Sequence, residues 1–197
     1  MHKKVAFYIA LSCIIPIILR FLELFLTPFA AGLFGISAIM AADNMLLGIS
    51  IIAVLIGKIY HIKPGFTVLN INIDVRTGLL FILVLLPSIV MAARVSISPD
   101  KFSFISTAIS EELMCRGVWF SFMQKTFKKS DTTFLSYPVL LSSLFFVIWH
   151  VPFDLTVPSL FFILVGIYSS LCLGYLREHS QSLYPGMAAH MMKLLMH

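Results

Sequence analysis

Three charged side chains lie close together in an otherwise apolar stretch of the chain: Glu111, Glu112 and Arg116. Each ionised group costs roughly 2.5–3.5 kcal/mol to insert near the centre of a bilayer. Charges that a chain keeps at such a cost usually serve a function. The stretch is therefore a candidate catalytic centre, and the alternative is an ion-pair network between helices without catalysis.

The spacing of the three residues divides their roles. Glu112 and Arg116 are four residues apart, so on a helix they share a face and form an ion pair. Such a pair offsets much of the cost of removing each partner from water. Glu111 is turned about 100° away from Glu112. Because it has no partner on its own helix, its carboxylate is predicted to be the general base.

Two histidines in similarly apolar surroundings extend the candidate site. Phe146 precedes His150 by one helical turn, which predicts that the phenyl ring packs on the imidazole and orients it. His190 follows small residues that permit close packing of membrane helices. Singly, each histidine is more often a structural residue. Together with Glu111 they form a set that can activate a water molecule: the carboxylate takes a proton, one histidine positions the water and another donor stabilises the oxyanion.

The same three side chains, Glu111, His150 and His190, are also a possible metal-ligand set. Histidine and carboxylate ligands suit zinc, and a bound divalent ion supplies the nucleophilic water in such sites. The HExxH spacing on one helix is absent. The preferred reading requires no cofactor, with zinc or another divalent metal as the alternative.

Composition predicts the elements that position these residues. The chain has 197 residues, of which 59% are hydrophobic and 12% charged, against about 45–50% and 25% in soluble domains. We therefore expect an all-α, polytopic transmembrane bundle of about seven spans without a separate soluble domain. It forms one integral-membrane domain over 1–197, with a motif-bearing core over approximately 103–197. The apolar runs that suggest spans cover about 5–26, 36–57, 77–93, 103–124, 133–150, 158–176 and 183–197.

Basic residues predict the orientation. The net charge is +5, and no basic stripe with interleaved aromatic residues suggests a nucleic-acid partner. Lysine and arginine gather in cytoplasmic loops of membrane proteins, which favours a cytoplasmic N-terminus. That orientation puts Glu111 and His150 in the outer half of the bilayer. The cytoplasmic positions are then Lys3, Lys4, Lys58, Lys63, Arg76, Lys125, Lys128, Lys129 and Arg177, and the outer ones are Arg94 and Lys101.

The motifs resemble those of the CPBP intramembrane protease family, also called the Abi or CAAX-protease family. Its motifs EExxxR, FxxxH and HxxxN lie on three separate transmembrane helices. The first corresponds here to Glu111, Glu112 and Arg116, and the second to Phe146 and His150. The third keeps His190 but has Leu194 in place of the asparagine. The neighbouring Lys193 projects about 100° from Leu194 on a helix, so it is not an obvious substitute.

The resemblance implies a glutamate-dependent intramembrane endopeptidase. In this reading Glu111 activates water with His150, His190 belongs to the oxyanion site, and the substrate is a membrane-associated protein or peptide. The small size and short loops favour the cytoplasmic membrane of a bacterium, while the oligomeric state is not determined. Leu194 favours the alternative of a weakened or inactive family member acting as a membrane scaffold or bacteriocin self-immunity protein. A transporter or proton relay using the same charges is a third hypothesis.

Overall fold

The structure, a computed structural model, describes residues 2–34, 38–59, 75–92, 101–127, 136–150 and 160–195. In these residues the chain forms helices joined by short turns and no strand, which confirms the predicted all-α class. The helices are α1 (His2–Phe34), α2 (Ala38–Ile59), α3 (Val75–Ala92), α4 (Lys101–Glu112), a π-helix (Leu113–Trp119), α5 (Phe120–Thr126), α6 (Tyr137–Trp149), α7 (Leu160–Ser180) and α8 (Tyr184–Leu195).

Helix α1 has the character of a lipid-facing span. It carries Phe21, Phe25 and Phe29 on its exposed surface, and its 33 residues extend over about 50 Å. Among the helices that the structure describes, its segment Lys3–Leu33 alone is both long and apolar enough to cross a membrane by those two criteria. The sequence predicted that the first span ends near residue 26. This boundary was wrong, because the helix continues through Pro28 to Phe34.

The candidate site lies along one continuous helix, formed by α4, the π-helix and α5. This long helix packs against α2, α6 and α8, while α1 packs on α2 and α6 and α3 packs on α7 and α8. An aromatic cluster that includes Trp119, Phe145 and Trp149 fills the space on the α1 side. The Trp119 Nε1–H donates to Ser12 Oγ over 3.1 Å, which ties the π-helix to α1. The long helix is therefore held by neighbours on several sides.

Lys4 and Arg177, two of the basic residues that the sequence predicted to share one membrane face, both contact α5. The Lys4 ammonium donates to the carbonyl of Thr126 at the end of α5, over 3.1 Å. The rings of Tyr8 and Phe127 pack edge to face nearby. Arg177, near the end of α7, donates to Ser121 in α5. The first turn of α1 therefore lies at the last turn of α5, and the last turn of α7 lies against the first turn of α5. The cytoplasmic orientation of this end stays a prediction.

Candidate active site

Glu111 brings residues from three helices together. Its Oε1 atom lies 3.2 Å from His150 Nε2, at the end of α6. Its Oε2 atom lies 3.5 Å from His190 Nε2, on α8. The three side chains, which lie far apart in sequence, therefore meet around one carboxylate. Only 7% of the surface of Glu111 is exposed, so its environment is set by these two rings and the packing around them.

Glu112 anchors the opposite side of the site. Its Oε1 atom accepts from Arg116 Nη1 over 3.0 Å and lies 3.1 Å from His190 Nδ1. Arg116 is fully buried and donates through Nη2 to both the hydroxyl and the carbonyl of Ser170 on α7. The Glu112–Arg116 pair predicted from the spacing is thus present. It also holds one nitrogen of His190 and connects the long helix to α7 and α8.

Phe146 is packed between the cation and both imidazoles. Its ring centroid lies 4.2 Å from that of His150 and 5.8 Å from that of His190. The Arg116 guanidinium carbon lies 4.4 Å from the same centroid, in cation–π range. The predicted contact between Phe146 and His150 is therefore present. The same ring therefore contacts the Arg116 guanidinium and both candidate catalytic imidazoles.

The histidine contacts limit where protons are held. His150 Nδ1 lies 2.8 Å from the Phe146 carbonyl oxygen. A carbonyl only accepts hydrogen bonds, so Nδ1 carries the proton. His150 Nε2 then faces the Glu111 carboxylate, and this contact is a hydrogen bond only if the pair holds one further proton. For His190, each ring nitrogen faces a carboxylate oxygen, so each has an acceptor for a proton.

A π-helix follows directly after the glutamate pair, where the sequence predicted an uninterrupted α-helix. The N–H of Phe120 bonds to the carbonyl of Cys115, five residues back. In an α-helix that N–H would bond to the Arg116 carbonyl. That carbonyl instead accepts from Nε of the buried Arg177 over 3.4 Å. Single-turn π segments often mark functional sites, and this one lies directly beside Glu111.

Gly186 allows α8 to approach Glu112 closely. A Cβ atom added at Gly186 would lie 3.1 Å from Glu112 Oε2, tighter than ordinary van der Waals contact. Glu112 cannot retreat easily, since Arg116 and His190 hold its other oxygen. The small residues before His190 therefore permit the predicted close packing, and Gly186 does so at the site itself.

His150 forms the open side of the site. Its side chain keeps 46% of its surface exposed to its surroundings, against 8% for Glu111 and 3% for His190, counted over the described part of the chain. A substrate or water molecule would therefore approach from the end of α6. A separate cavity of about 270 Å³ lies between α1, α2, α6 and the π-helix. Its lining is apolar and includes Ile15, Ile49 and Trp119 but none of the candidate catalytic residues.

The metal alternative has no pre-arranged centre in the described segments. No group of three His, Cys, Asp or Glu side chains there is arranged to hold an ion. The chemistry of Glu111, His150 and His190 nevertheless suits a divalent ion such as zinc. A bound metal therefore stays the untested alternative to the preferred interpretation, in which no cofactor is required.

Sequence reasoning missed three polar residues that support the site. Ser170 receives the Arg116 guanidinium, Arg177 bonds to the π-helix, and Lys193 donates to Ser169 over 3.1 Å. Ser170 could have been found from the sequence, because Ser169 and Ser170 are adjacent polar residues in the middle of an apolar helix. The side chain of Leu194, at the asparagine place of the third motif, lies outside the residues whose side chains are described.

Comparison with known proteins agrees with the motifs. A family model described as type II CAAX prenyl endopeptidase, Rce1-like, matches residues 101–196. This segment contains all six candidate site residues, and the matched family is the CPBP family that the motifs indicated. No curated protein and no solved structure shows a significant match to the chain.

Proposed function

We propose that this chain, which over residues 101–196 belongs to the Rce1-like family of type II CAAX prenyl endopeptidases, hydrolyses a peptide bond of a membrane-associated protein or peptide through water activated by Glu111 and His150. The observation that carries the proposal is the contact of one buried carboxylate with two imidazoles from separate helices, at 3.2 Å and 3.5 Å. If Glu111 served only to form a structural ion pair, one partner for its carboxylate would be sufficient.

The proposed reaction begins with Glu111 as the general base. The carboxylate takes a proton from water, the water oxygen bonds to the carbonyl carbon, and the electron pair of the C=O bond moves to its oxygen. When this tetrahedral intermediate collapses, the C–N bond breaks and the leaving nitrogen takes a proton. The Glu111–His150 pair supplies that proton. Because His150 Nδ1 bonds to the Phe146 carbonyl, Nε2 is the nitrogen that exchanges it.

His190 is proposed as a donor to the oxyanion. Preorganised donors at the developing charge are usually the largest contribution to such catalysis. Nδ1 of His190 lies 3.1 Å from Glu112 Oε1, which fixes the ring and leaves Nε2 on the Glu111 side. Nε2 donates to the oxyanion only when it carries a proton, so a His190 that also donates from Nδ1 acts as the imidazolium. In this reading Glu112, Arg116 and Phe146 support the site without contacting the substrate.

A cleavage assay tests the proposal. Wild type and Glu111→Gln, His150→Ala and His190→Ala variants are purified in detergent and given an internally quenched, prenylated CAAX peptide. We expect each variant to lose at least about 10²-fold in kcat/KM, the usual scale for general acid–base groups, with unchanged membrane insertion. Glu178→Gln and His179→Ala, on α7, are matched controls and should cleave at the wild-type rate. Full activity of Glu111→Gln would contradict the proposal.

The metal question needs a separate measurement. If Glu111 and His150 act on water directly, dialysis against a strong chelator leaves activity unchanged. Loss of activity that added zinc restores, together with bound metal in elemental analysis, would instead assign Glu111, His150 and His190 as ligands.

A catalytically weakened scaffold or immunity protein is the second candidate, favoured by Leu194 in place of the motif asparagine. A scaffold keeps its cellular phenotype in the Glu111→Gln, His150→Ala and His190→Ala variants. A weakened enzyme loses its phenotype in the same variants and gains cleavage on Leu194→Asn.

A further inference from the structure

Lys193 is a cation beside the candidate site that the proposed reaction does not yet use. It lies three residues after His190 on α8, about 60° around the helix and about 4.5 Å further along its axis. Its ammonium donates to the hydroxyl of Ser169 over 3.1 Å. Ser169 is fully buried in α7, so Lys193 points inward between α7 and α8 and not along the surface.

The surroundings of Lys193 leave its charge available. No carboxylate lies within ion-pair distance of its ammonium among the described residues. It nevertheless lies one helical turn from His190, whose Nε2 is 3.5 Å from Glu111 Oε2. Its partner Ser169 is also the neighbour in sequence of Ser170, which binds the Arg116 guanidinium of the site. An ammonium has three N–H donors, and Ser169 takes one of them. Two donors therefore remain for another acceptor.

We propose that the Lys193 ammonium, held by Ser169, is a donor to the oxyanion that forms during hydrolysis at Glu111. This inference rests on the proposed function. The carbonyl under attack must lie about 3–3.5 Å from the water that Glu111 activates. Its oxygen therefore develops negative charge beside Glu111 and His190, which are 3.5 Å apart, and Lys193 follows His190 by one helical turn. A partly buried cation there stabilises the charge more strongly than a solvated one.

The position of Lys193 also fits the departure from the third motif. Leu194 has no hydrogen-bond donor in its side chain, and the residue before it carries an ammonium instead. From helical spacing, Lys193 projects about 100° away from position 194. Its long side chain nevertheless brings the ammonium to Ser169 on α7. His190 and Lys193 then form a pair of donors on one helix.

The experiment compares charge removal with charge retention. Lys193→Met and Lys193→Arg are assayed on the same quenched, prenylated CAAX peptide as wild type, with Ser169→Ala and with Lys125→Met as the control for loss of one exposed cation. We expect Lys193→Met to lower kcat about 10²-fold with KM within threefold. Lys193→Arg should stay within tenfold of wild type, Ser169→Ala should be intermediate, and Lys125→Met should be unchanged.

A second measurement avoids turnover. A phosphinate analogue of the same peptide carries a tetrahedral anion in place of the peptide bond. Lys193→Met should bind it about 10²-fold more weakly than wild type does, while the affinity of Glu111→Gln for the uncleaved peptide should not change when Lys193→Met is added. This comparison reports on the charged intermediate even if the variant is less stable.

The outcomes separate the two proposals. Wild-type cleavage that does not depend on Glu111 overturns the proposed function, and the role of Lys193 with it. Glu111-dependent cleavage with full kcat in Lys193→Met overturns only the Lys193 proposal. A rise in KM with unchanged kcat also overturns it, because Lys193 would then bind a charged group of the substrate before the reaction.

Discussion

At the scale of single residues, two adjacent glutamates have different partners. Glu112 is bound to a fully buried guanidinium, whereas among the described residues the charged or ionisable partners of the Glu111 carboxylate are the two imidazoles. Arginine stays protonated in proteins, so Glu112 remains ion-paired with a permanent positive charge. An imidazole, in contrast, can donate or accept a hydrogen bond, depending on which of its nitrogens carries a proton. The chemistry of the partners therefore separates a structural carboxylate from one that can exchange a proton.

This difference predicts opposite effects of two similar substitutions. Glu112→Gln leaves the Arg116 charge buried without its counterion, which typically costs about 3–5 kcal/mol, and it also loosens His190. We expect a clear drop in the thermal unfolding midpoint of the detergent-purified protein. Glu111→Gln should abolish cleavage while staying close to wild-type stability. Equal destabilisation by both substitutions would show that the two carboxylates do not have separate roles.

Gly186 offers a test of the close approach between α8 and the long helix. In Gly186→Ala the new Cβ lies 3.1 Å from Glu112 Oε2, so Glu112 and His190 must shift by a few tenths of an ångström. Because catalysis is sensitive to small displacements, we expect kcat to fall about tenfold. Gly166→Ala is the matched control, since nothing lies within 4 Å of its added Cβ. A wild-type kcat in Gly186→Ala would show that Glu112 and His190 can shift without loss of catalysis, and would contradict this prediction.

At the scale of elements, the π-helix decides how the site is connected to the bundle. Its widened turn releases the Arg116 carbonyl, and Arg177 from α7 donates to it. The same guanidinium donates to Ser121 and lies 5.3 Å from the Phe120 ring centroid. One buried side chain therefore fixes the transition from the π-helix to α5. Arg116 and Arg177 together hold α7 along the length of this segment.

Removing that link should destabilise the fold before it affects the chemistry. Arg177→Met leaves the Arg116 carbonyl and the Ser121 hydroxyl without this donor, at a cost of about 1–3 kcal/mol. Arg177→Lys keeps one donor group and should be intermediate. The measurement is the unfolding midpoint in detergent, with Lys125→Met as a control for charge loss at the same end of the bundle. Wild-type stability of Arg177→Met would rule out this role.

At the scale of the whole molecule, the basic residues at one end predict orientation. Lys4 contacts the end of α5, which also carries Lys125, and Arg177 lies near the end of α7. Lysine and arginine concentrate on the cytoplasmic side, so we propose that this end faces the cytoplasm. Glu111 is fifteen residues before Thr126, roughly 22 Å along the helix axis. The candidate site then opens nearer the opposite face.

Cysteine labelling tests this orientation. In a chain whose Cys13, Cys115 and Cys172 are replaced by alanine, Lys125→Cys should react with a membrane-impermeant maleimide only after the cells are permeabilised. Lys101→Cys, at the other end of the same helix, should react in intact cells. The reverse pattern would place the N-terminus outside and the candidate site nearer the cytoplasm.

The sequence alone predicted the fold class that the structure confirms and the family whose model matches residues 101–196. It also singled out Glu111, His150 and His190, which the structure brings together. In lipid, a helix satisfies the hydrogen bonds of its own backbone, so an apolar composition predicts helices. Charged residues in such helices are recognisable candidates because inserting a charge into the bilayer costs free energy. Helical periodicity also predicted the Glu112–Arg116 pair and the packing of Phe146 on His150, since both contacts are local.

Only the tertiary structure decided what depends on neighbouring helices. The placement of His190 between two carboxylates, the reach of Lys193 to Ser169 and the bond from Arg177 to the Arg116 carbonyl each join residues that periodicity cannot relate. The π-helix also depends on tertiary context that periodicity does not describe, since Arg177 from another helix donates to its Arg116 carbonyl. One-dimensional spacing fixes which residues share a face of one helix, but the packing of helices determines which faces meet.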